Sequence, residues 1–180
     1  MTLADLRNQL PDYAKDLKLN LDSVLSESGA PGLDPRQIRV IALACAIAAR
    51  HEPLRRAVEA FAAEQLSPAE IDGARAAAAI MAMNNVFYRA THLISNPEYG
   101  QMRAGLRMNV MMNPGVDKAT FELASLAVSA INGCGACLDS HEKAVRQHGL
   151  SAQAVHSALK IAAVVHAVAV TLEQSEPAAA

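Results

Sequence analysis

The apolar residues of this chain are almost all aliphatic and mostly small, and this limits the folds open to it. Hydrophobic residues make up 52% of the sequence, whereas aromatic residues make up 3% and Trp is absent. Small and unbranched side chains favour close-packed helices, while strands are enriched in aromatic residues. A chain of 180 residues is long enough for one compact domain with a sizeable core. We therefore expect an all-α fold in a single domain spanning residues 1–180.

Helix start and stop signals recur along the chain and support this prediction. Asp34-Pro35 and residues 67–70 each place a capping side chain before a proline at the first helical position. The helix that follows Asp34 is apolar nearly all round, so we expect it to be central. A later helix is predicted over residues 118–130, with a break at Asn132-Gly133. The next helix should begin near Cys134 and end at Gly149, because glycine is common just after a helix.

The charge pattern and the termini limit the partners and the location of the protein. A net charge of -2 lacks the excess of positive charge that is typical of proteins that bind nucleic acid or an anionic membrane. The first seven residues are too charged for a secretory signal, and apolar runs such as residues 161–170 are too short to span a bilayer. A cytoplasmic protein without nucleic-acid or membrane partners is therefore expected. Residues 175–180 are expected to be frayed.

Two segments of the chain resemble each other and suggest an internal duplication. Residues 78–85 parallel residues 126–133. In this alignment the cysteines have no counterparts in the first copy, since Val86 is opposite Cys134 and Arg89 is opposite Cys137. The predicted halves are a degenerate N-terminal half, about 1–100, and a redox-active C-terminal half, about 101–175. Alanine-rich helices also match by chance, so coincidence remains an alternative.

Cys134 and Cys137 are the most informative pair of residues in the chain. Residues three apart at a helix start lie on one face, close enough for a disulfide. A helix N-terminus also stabilises thiolate over thiol. His141 follows Cys137 by four positions and shares this face, so it could take a proton from a thiol or return one to a leaving group. The pattern indicates thiol–disulfide redox chemistry.

A zinc site is the main alternative for these three residues. Cys134, Cys137 and His141 would then need a fourth ligand, with the candidates being His92, His148, Glu122 and Glu142. The sequence has no second CxxC and no HxxxH to complete such a set. We therefore favour the redox interpretation.

Cys45 and five of the seven methionines are expected to be structural. Cys45 lies in the central apolar helix and should be an inert core thiol. The methionines are expected to fill the core, namely Met81, Met83, Met108, Met111 and Met112.

The chain resembles the alkyl hydroperoxide reductase D (AhpD) family, within the carboxymuconolactone-decarboxylase-like fold. The resemblance covers nearly the whole chain. It rests on residues 12–21, 81–89, 105–110, 113–115 and 121–134, together with Cys137 and His141-Glu142. Two positions differ from the pattern of some family members. Ala136 stands where these members have a histidine, and Ala124 stands where some members have an aromatic residue.

The resemblance implies an activity, a set of partners and an assembly. The expected activity is an antioxidant, thiol-dependent peroxidase that reduces organic hydroperoxides and regenerates a peroxiredoxin partner, AhpC. Electrons would come from dihydrolipoamide carried by a lipoyl-bearing acyltransferase of the 2-oxoacid dehydrogenase type, with no tightly bound cofactor. The implied fold is all-helical and duplicated, and the implied assembly is a homotrimer.

The resemblance also assigns roles to four residues. Cys137 would become the sulfenic acid, and Cys134 would donate a proton and then resolve the sulfenic acid as a disulfide. Glu122 and His141 would form a proton relay to the thiols.

Three other functions remain as alternatives. One is a redox adaptor that carries electrons between a lipoyl protein and a peroxiredoxin without peroxidase turnover. Another is the decarboxylase or lactone lyase chemistry of the fold's namesake, which does not need a redox pair. The third is a structural zinc module.

Overall fold

The computed structural model describes residues 1–175, and the elements within this range are all helical. Two 3₁₀ segments, Asp12–Ala14 and Asn109–Met112, accompany the α-helices, and the described residues contain no strand. The α-helices are α1 Leu3–Gln9, α2 Lys15–Val24, α3 Pro35–Ala48, α4 Glu52–Ala63, α5 Pro68–Leu93, α6 Glu98–Gln101, α7 Lys118–Ile131, α8 Gly135–Gln147 and α9 Ala152–Ser175. The predicted all-α class is confirmed. Of residues 175–180, which were expected to be frayed, Ser175 is the last residue of α9, and residues 176–180 lie outside the described residues.

Helix α3 is the centre of the packing, as its sequence predicts. Residues 38–46 are all buried, and α3 packs against α4, α5, α7 and α9. Small side chains let these helices approach closely, since Ala42, Ala44 and Cys45 are fully buried. A helix that is apolar on every face is stable only where other elements cover it on all sides.

The predicted capping residues set the starts of α3 and α5. The Asp34 carboxylate accepts hydrogen bonds from the backbone N–H groups of Arg36 and Gln37, each at 2.8 Å. Ser67 and Glu70 form the predicted capping box, in which Glu70 also accepts from the Ser67 N–H at 2.8 Å. These bonds satisfy donors that have no partner inside the helix.

A sharp corner joins α7 to α8 and positions the two cysteines. Gly133 has a φ of +67°, a backbone conformation that favours glycine. Cys134 is the N-cap of α8, and its sulfur accepts a hydrogen bond from the Cys137 N–H at 3.3 Å. Gly149, with a φ of +84°, follows the end of α8. The predicted break and helix start are therefore confirmed.

The segment between α5 and α7 returns along α5 and lies against it. A side chain at Gly73 would place its Cβ 2.8 Å from the Pro114 carbonyl oxygen and from a methyl group of Val116. Glycine at this point of α5 therefore permits the close approach of the segment. The same segment carries Met108 and Met111.

The two similar segments of the chain lie on helices that pack against each other. Residues 78–85 lie on α5 and residues 126–133 begin on α7, and these two helices pack against each other. The internal duplication and its division into two halves stay predictions.

Within residues 1–175, α9 alone has the length and hydropathy of a membrane span, with 56% of its most apolar window buried in the fold. Core helices of globular proteins pass the same test, so this is weak evidence for a span.

Candidate active site

Cys134 and Cys137 are joined by a disulfide at the N-terminus of α8, with their Cα atoms 5.3 Å apart. Cys134 has no exposed surface, whereas Cys137 is 6% exposed and lines a cavity of about 290 Å³. Cys137 is the third residue of α8, where backbone N–H groups lack partners inside the helix. The positive end of the helix dipole stabilises a thiolate at this position once the disulfide is reduced.

Glu122 and His141 meet although they are nineteen positions apart. A carboxylate oxygen of Glu122 lies 2.6 Å from His141 Nδ1. Glu122 is on α7 and His141 on α8, and the corner at Gly133 turns α8 back against α7. A carboxylate in this place fixes the orientation of the imidazole ring and favours a proton on Nδ1.

The other ring nitrogen of His141 contacts a residue that the sequence did not single out for the site. His141 Nε2 lies 3.1 Å from the sulfur of Met81 on α5, and Asn85 Nδ2 lies 3.8 Å from the same sulfur. Among the described residues, His141 has no hydrogen bond to either cysteine. It nevertheless lines the same cavity as Cys137, as their spacing predicts.

The cavity beside Cys137 is mostly apolar. Helix α5, the segment after it and α8 form its walls, which include Asn84, Tyr88, Met108, Met111, Cys137 and His141. Asn84 and Tyr88 belong to the segment that carries the family resemblance, but nothing in their local pattern indicates a cavity. The prediction that five methionines fill the core is confirmed for Met81 and is wrong for Met112, which is 78% exposed. Met83 is half-buried on α5, and Met108 and Met111 are half-buried in the cavity wall.

Cys45 is separated from this chemistry by its position in the core. It is a free cysteine with no exposed surface, and burial raises the pKa of its thiol. A thiol that stays protonated is a poor nucleophile. This agrees with an inert structural role for Cys45.

The candidate zinc ligands are not arranged as a metal site. Within residues 1–175, no three His, Cys, Asp or Glu side chains are grouped so that they could hold a metal ion. His148 is the C-cap of α8, and Glu142 lies 3.9 Å from the Arg146 guanidinium. His92 lines a separate surface cavity.

Comparison with known proteins places the chain in a family. The model of the carboxymuconolactone decarboxylase family matches residues 97–180. A protein named alkyl hydroperoxide reductase AhpD from Streptomyces griseus is 55% identical over 173 residues, covering 96% of each chain. A protein of the same name from Streptomyces avermitilis is 56% identical, with 96% of each chain covered. Another from Bradyrhizobium sp. strain BTAi1 is 50% identical, with 96% of this chain and 94% of the relative covered. With such identity over nearly the full length of both partners, this chain belongs to the alkyl hydroperoxide reductase AhpD family.

Proposed function

We propose that this protein is an antioxidant alkyl hydroperoxidase that works through the Cys134 and Cys137 thiols. The observation that carries the proposal is the disulfide at the N-terminus of α8, with one sulfur beside an apolar cavity. A peroxide-reducing role also agrees with the names of the relatives. The apolar wall suits the organic part of an alkyl hydroperoxide better than hydrogen peroxide.

Cys137 is the residue that attacks the peroxide in this proposal. Its thiolate bonds to the terminal oxygen of the hydroperoxide, the O–O bond breaks, and an alkoxide leaves. The alkoxide takes up a proton and becomes the alcohol, while Cys137 becomes a sulfenic acid. The support for this assignment is that Cys137 lines the cavity and Cys134 does not.

Cys134 then resolves the sulfenic acid. Its sulfur bonds to that of Cys137, and the sulfenic hydroxyl leaves as water with the Cys134 proton. One hydroperoxide and two thiols thereby give one alcohol, one water and one disulfide. The capping position of Cys134, next to Cys137 in the disulfide form, supports this role.

Cys134 gives its proton to the leaving alkoxide, as the family resemblance implies, and Glu122 and His141 replace that proton on Cys134. Glu122 orients the imidazole through Nδ1, and the Met81 sulfur is an acceptor for a proton on Nε2. A ring held in this way is a proton donor at the cavity wall. Met81 is a positioning residue in this scheme, because it acts through His141.

We further propose that a dithiol restores the enzyme by attacking the disulfide through a mixed intermediate. Family membership supports dihydrolipoamide on an acyltransferase as this donor and a peroxiredoxin of the AhpC type as a protein partner. No tightly bound cofactor is needed, since both electrons pass through sulfur. A cytoplasmic location would suit a thiol cycle of this kind.

The test of this function is hydroperoxide consumption by the purified protein with dihydrolipoamide as reductant and no peroxiredoxin present. We expect turnover of cumene hydroperoxide that is abolished by Cys137→Ser. Turnover that requires added AhpC would instead support the redox-adaptor function. No consumption under either condition would contradict the peroxidase proposal.

We also propose that the protein is a homotrimer. Exposed apolar side chains are frequent from the last residue of α5 to the segment before α7, namely Leu93, Ile94, Tyr99, Met102, Val110 and Met112. Such exposure is typical of surfaces that bury themselves against another chain. Light scattering at micromolar concentration should give three times the 19.0 kDa chain mass. A monomer mass would contradict the trimer.

A further inference from the structure

The end of α7 is closed by a backbone motif that also holds Cys134. The Cys134 N–H donates to the Ser129 carbonyl at 3.0 Å. The Gly133 N–H donates to the Ala130 carbonyl at 3.2 Å, and Gly133 has a φ of +67°. Together these features form a Schellman motif, in which the residue after the glycine is bonded back into the helix. Cys134 therefore belongs to two helices, because it closes α7 and caps α8.

Asn85 on α5 holds this motif through its side chain. It is 1% exposed, and its Nδ2 donates to Ser129 Oγ at 2.9 Å. Its Oδ1 accepts from Nδ2 of Asn132, the C-cap of α7, at 2.9 Å. Arg89, one turn further along α5, donates to the Asn132 carbonyl at 2.5 Å. Helix α5 thus holds both the residue that bonds to the Cys134 N–H and the residue at the corner.

The two bonds from Asn85 to α7 involve only nitrogen and oxygen atoms. Opening the Cys134–Cys137 disulfide therefore removes neither of them. Asn85 and Ser129 are also buried, and hydrogen bonds between buried groups are costly to break. The corner that carries Cys134 is consequently held by contacts that do not depend on the oxidation state of the cysteines.

The position of Cys134 matters most after Cys137 has become a sulfenic acid. That group forms the disulfide when the Cys134 sulfur attacks it. A second hydroperoxide can instead oxidise the sulfenic acid to a sulfinic acid, while the hydroperoxide is reduced to an alcohol. The attack by Cys134 is an intramolecular step, and the rate of such a step depends strongly on how the reacting atoms are placed.

We propose that Asn85 positions Cys134 for the resolving step and so shortens the lifetime of the Cys137 sulfenic acid. This inference rests on the proposed function. Asn85 acts through Ser129 and Asn132, which hold the corner before Cys134, and is therefore a positioning residue.

The test is a competition between Cys134 and dimedone for the Cys137 sulfenic acid. Reduced protein receives one equivalent of cumene hydroperoxide at a series of dimedone concentrations, and mass spectrometry measures the fraction of Cys137 that carries dimedone. This fraction counts only sulfenic acid that has already formed, so the rate of the first oxidation does not affect it. In Asn85→Ala, the dimedone concentration that labels half of Cys137 should fall by about tenfold or more, because a displaced Cys134 attacks more slowly.

Ser157→Ala is the matched control for the loss of a buried hydrogen bond. Ser157 lies on α9, has no exposed surface and donates to the Pro31 carbonyl at 2.9 Å. Its bond is made to the loop before α3, so the half-labelling concentration should stay within about twofold of wild type. If Asn85→Ala fails to fold, Asn132→Ala takes its place, because it breaks one of the same bonds from a half-buried residue.

The outcomes separate this inference from the function on which it rests. A lower half-labelling concentration in the folded Asn85→Ala variant, with Ser157→Ala unchanged, supports the role of Asn85. The wild-type value in that variant, or an equal fall in Ser157→Ala, overturns the role while the peroxidase function stands. A wild-type protein whose thiols do not react with cumene hydroperoxide contradicts the function itself.

Discussion

The carboxylate of Glu122 on α7 lies 2.6 Å from Nδ1 of His141 on α8, and this contact joins the two helices that flank the cysteine corner. Both residues are largely shielded from water, and α7 packs closely against α8. Shielding strengthens the electrostatic part of such a contact. The pair is therefore suited to act as one unit in proton transfer.

Replacing either member of the pair should slow turnover to a similar extent. Glu122→Gln keeps the size and hydrogen bonding of the side chain but removes its charge, and His141→Gln removes the proton donor. Each should lower turnover by roughly 10²–10⁴-fold if general acid–base assistance is lost. The double variant should be little worse than either single one, which is typical of residues that act together.

The measurement is steady-state consumption of cumene hydroperoxide with dihydrolipoamide, with disulfide formation and thermal unfolding as controls for folding. Wild-type turnover in Glu122→Gln would rule out a role for the carboxylate. Effects that simply multiply in the double variant would show that the two residues act separately.

Met81 should contribute to turnover only through His141. Met81→Leu removes the sulfur that faces Nε2 at 3.1 Å while nearly conserving the volume. Turnover should fall, but by less than in His141→Gln, because Glu122 still orients the ring. In a His141→Gln background the same substitution should have no further effect on turnover. An equal loss in both backgrounds would mean that Met81 acts by packing alone.

The local chemistry of the chain predicts much of this fold, and the parts it misses arise from tertiary packing. Asp34 and Ser67 cap their helices because a short polar side chain reaches the next turn of the backbone, which is a property of the local sequence. Cys134 and Cys137 are brought together by the geometry of one helical turn. These features involve residues at most four positions apart.

The cavity and the Met81 contact could not be predicted in this way. Met81 and His141 are sixty positions apart, and Asn84 bonds to a methionine twenty-four positions later. Both contacts depend on how α5 and the segment after it pack against their neighbours. A half-buried methionine in a cavity wall and one in the core have the same local sequence signature, so spacing could not separate Met108 from Met81.

An ion pair between α3 and α5 should make the stability of the fold depend on pH in the acid range. The Arg36 guanidinium lies 2.8 Å from Glu70, and together with bonds from Ser67 it lowers the pKa of the Glu70 carboxyl from 4.5 to about 2. A carboxyl whose pKa is depressed on folding stabilises the fold above its unfolded pKa and loses this effect as the pH falls through its folded pKa. Wild type should therefore be more stable than Glu70→Gln at pH 7.

This difference should shrink as the pH falls from about 4.5 towards about 2. Urea unfolding of both proteins across this range measures it. A difference that is the same at every pH would mean that Glu70 stabilises the helix start by hydrogen bonding alone. As a control, Glu52→Gln removes the carboxylate of an exposed ion pair with Arg56, which contributes little to stability, so this variant should be about as stable as wild type at pH 7.

Locating the oxidised sulfur after one equivalent of hydroperoxide shows whether Cys134 and Cys137 carry out the reaction. The chain has three cysteines, so reduced protein should lose two thiols per peroxide and keep one. Mass spectrometry should find the new disulfide between Cys134 and Cys137, with Cys45 still free. In Cys134→Ser, a sulfenic-acid probe such as dimedone should label Cys137, whereas Cys137→Ser should give no labelled Cys134. Sulfenic acid on Cys134, or Cys45 within the peroxide-induced disulfide, would contradict this account.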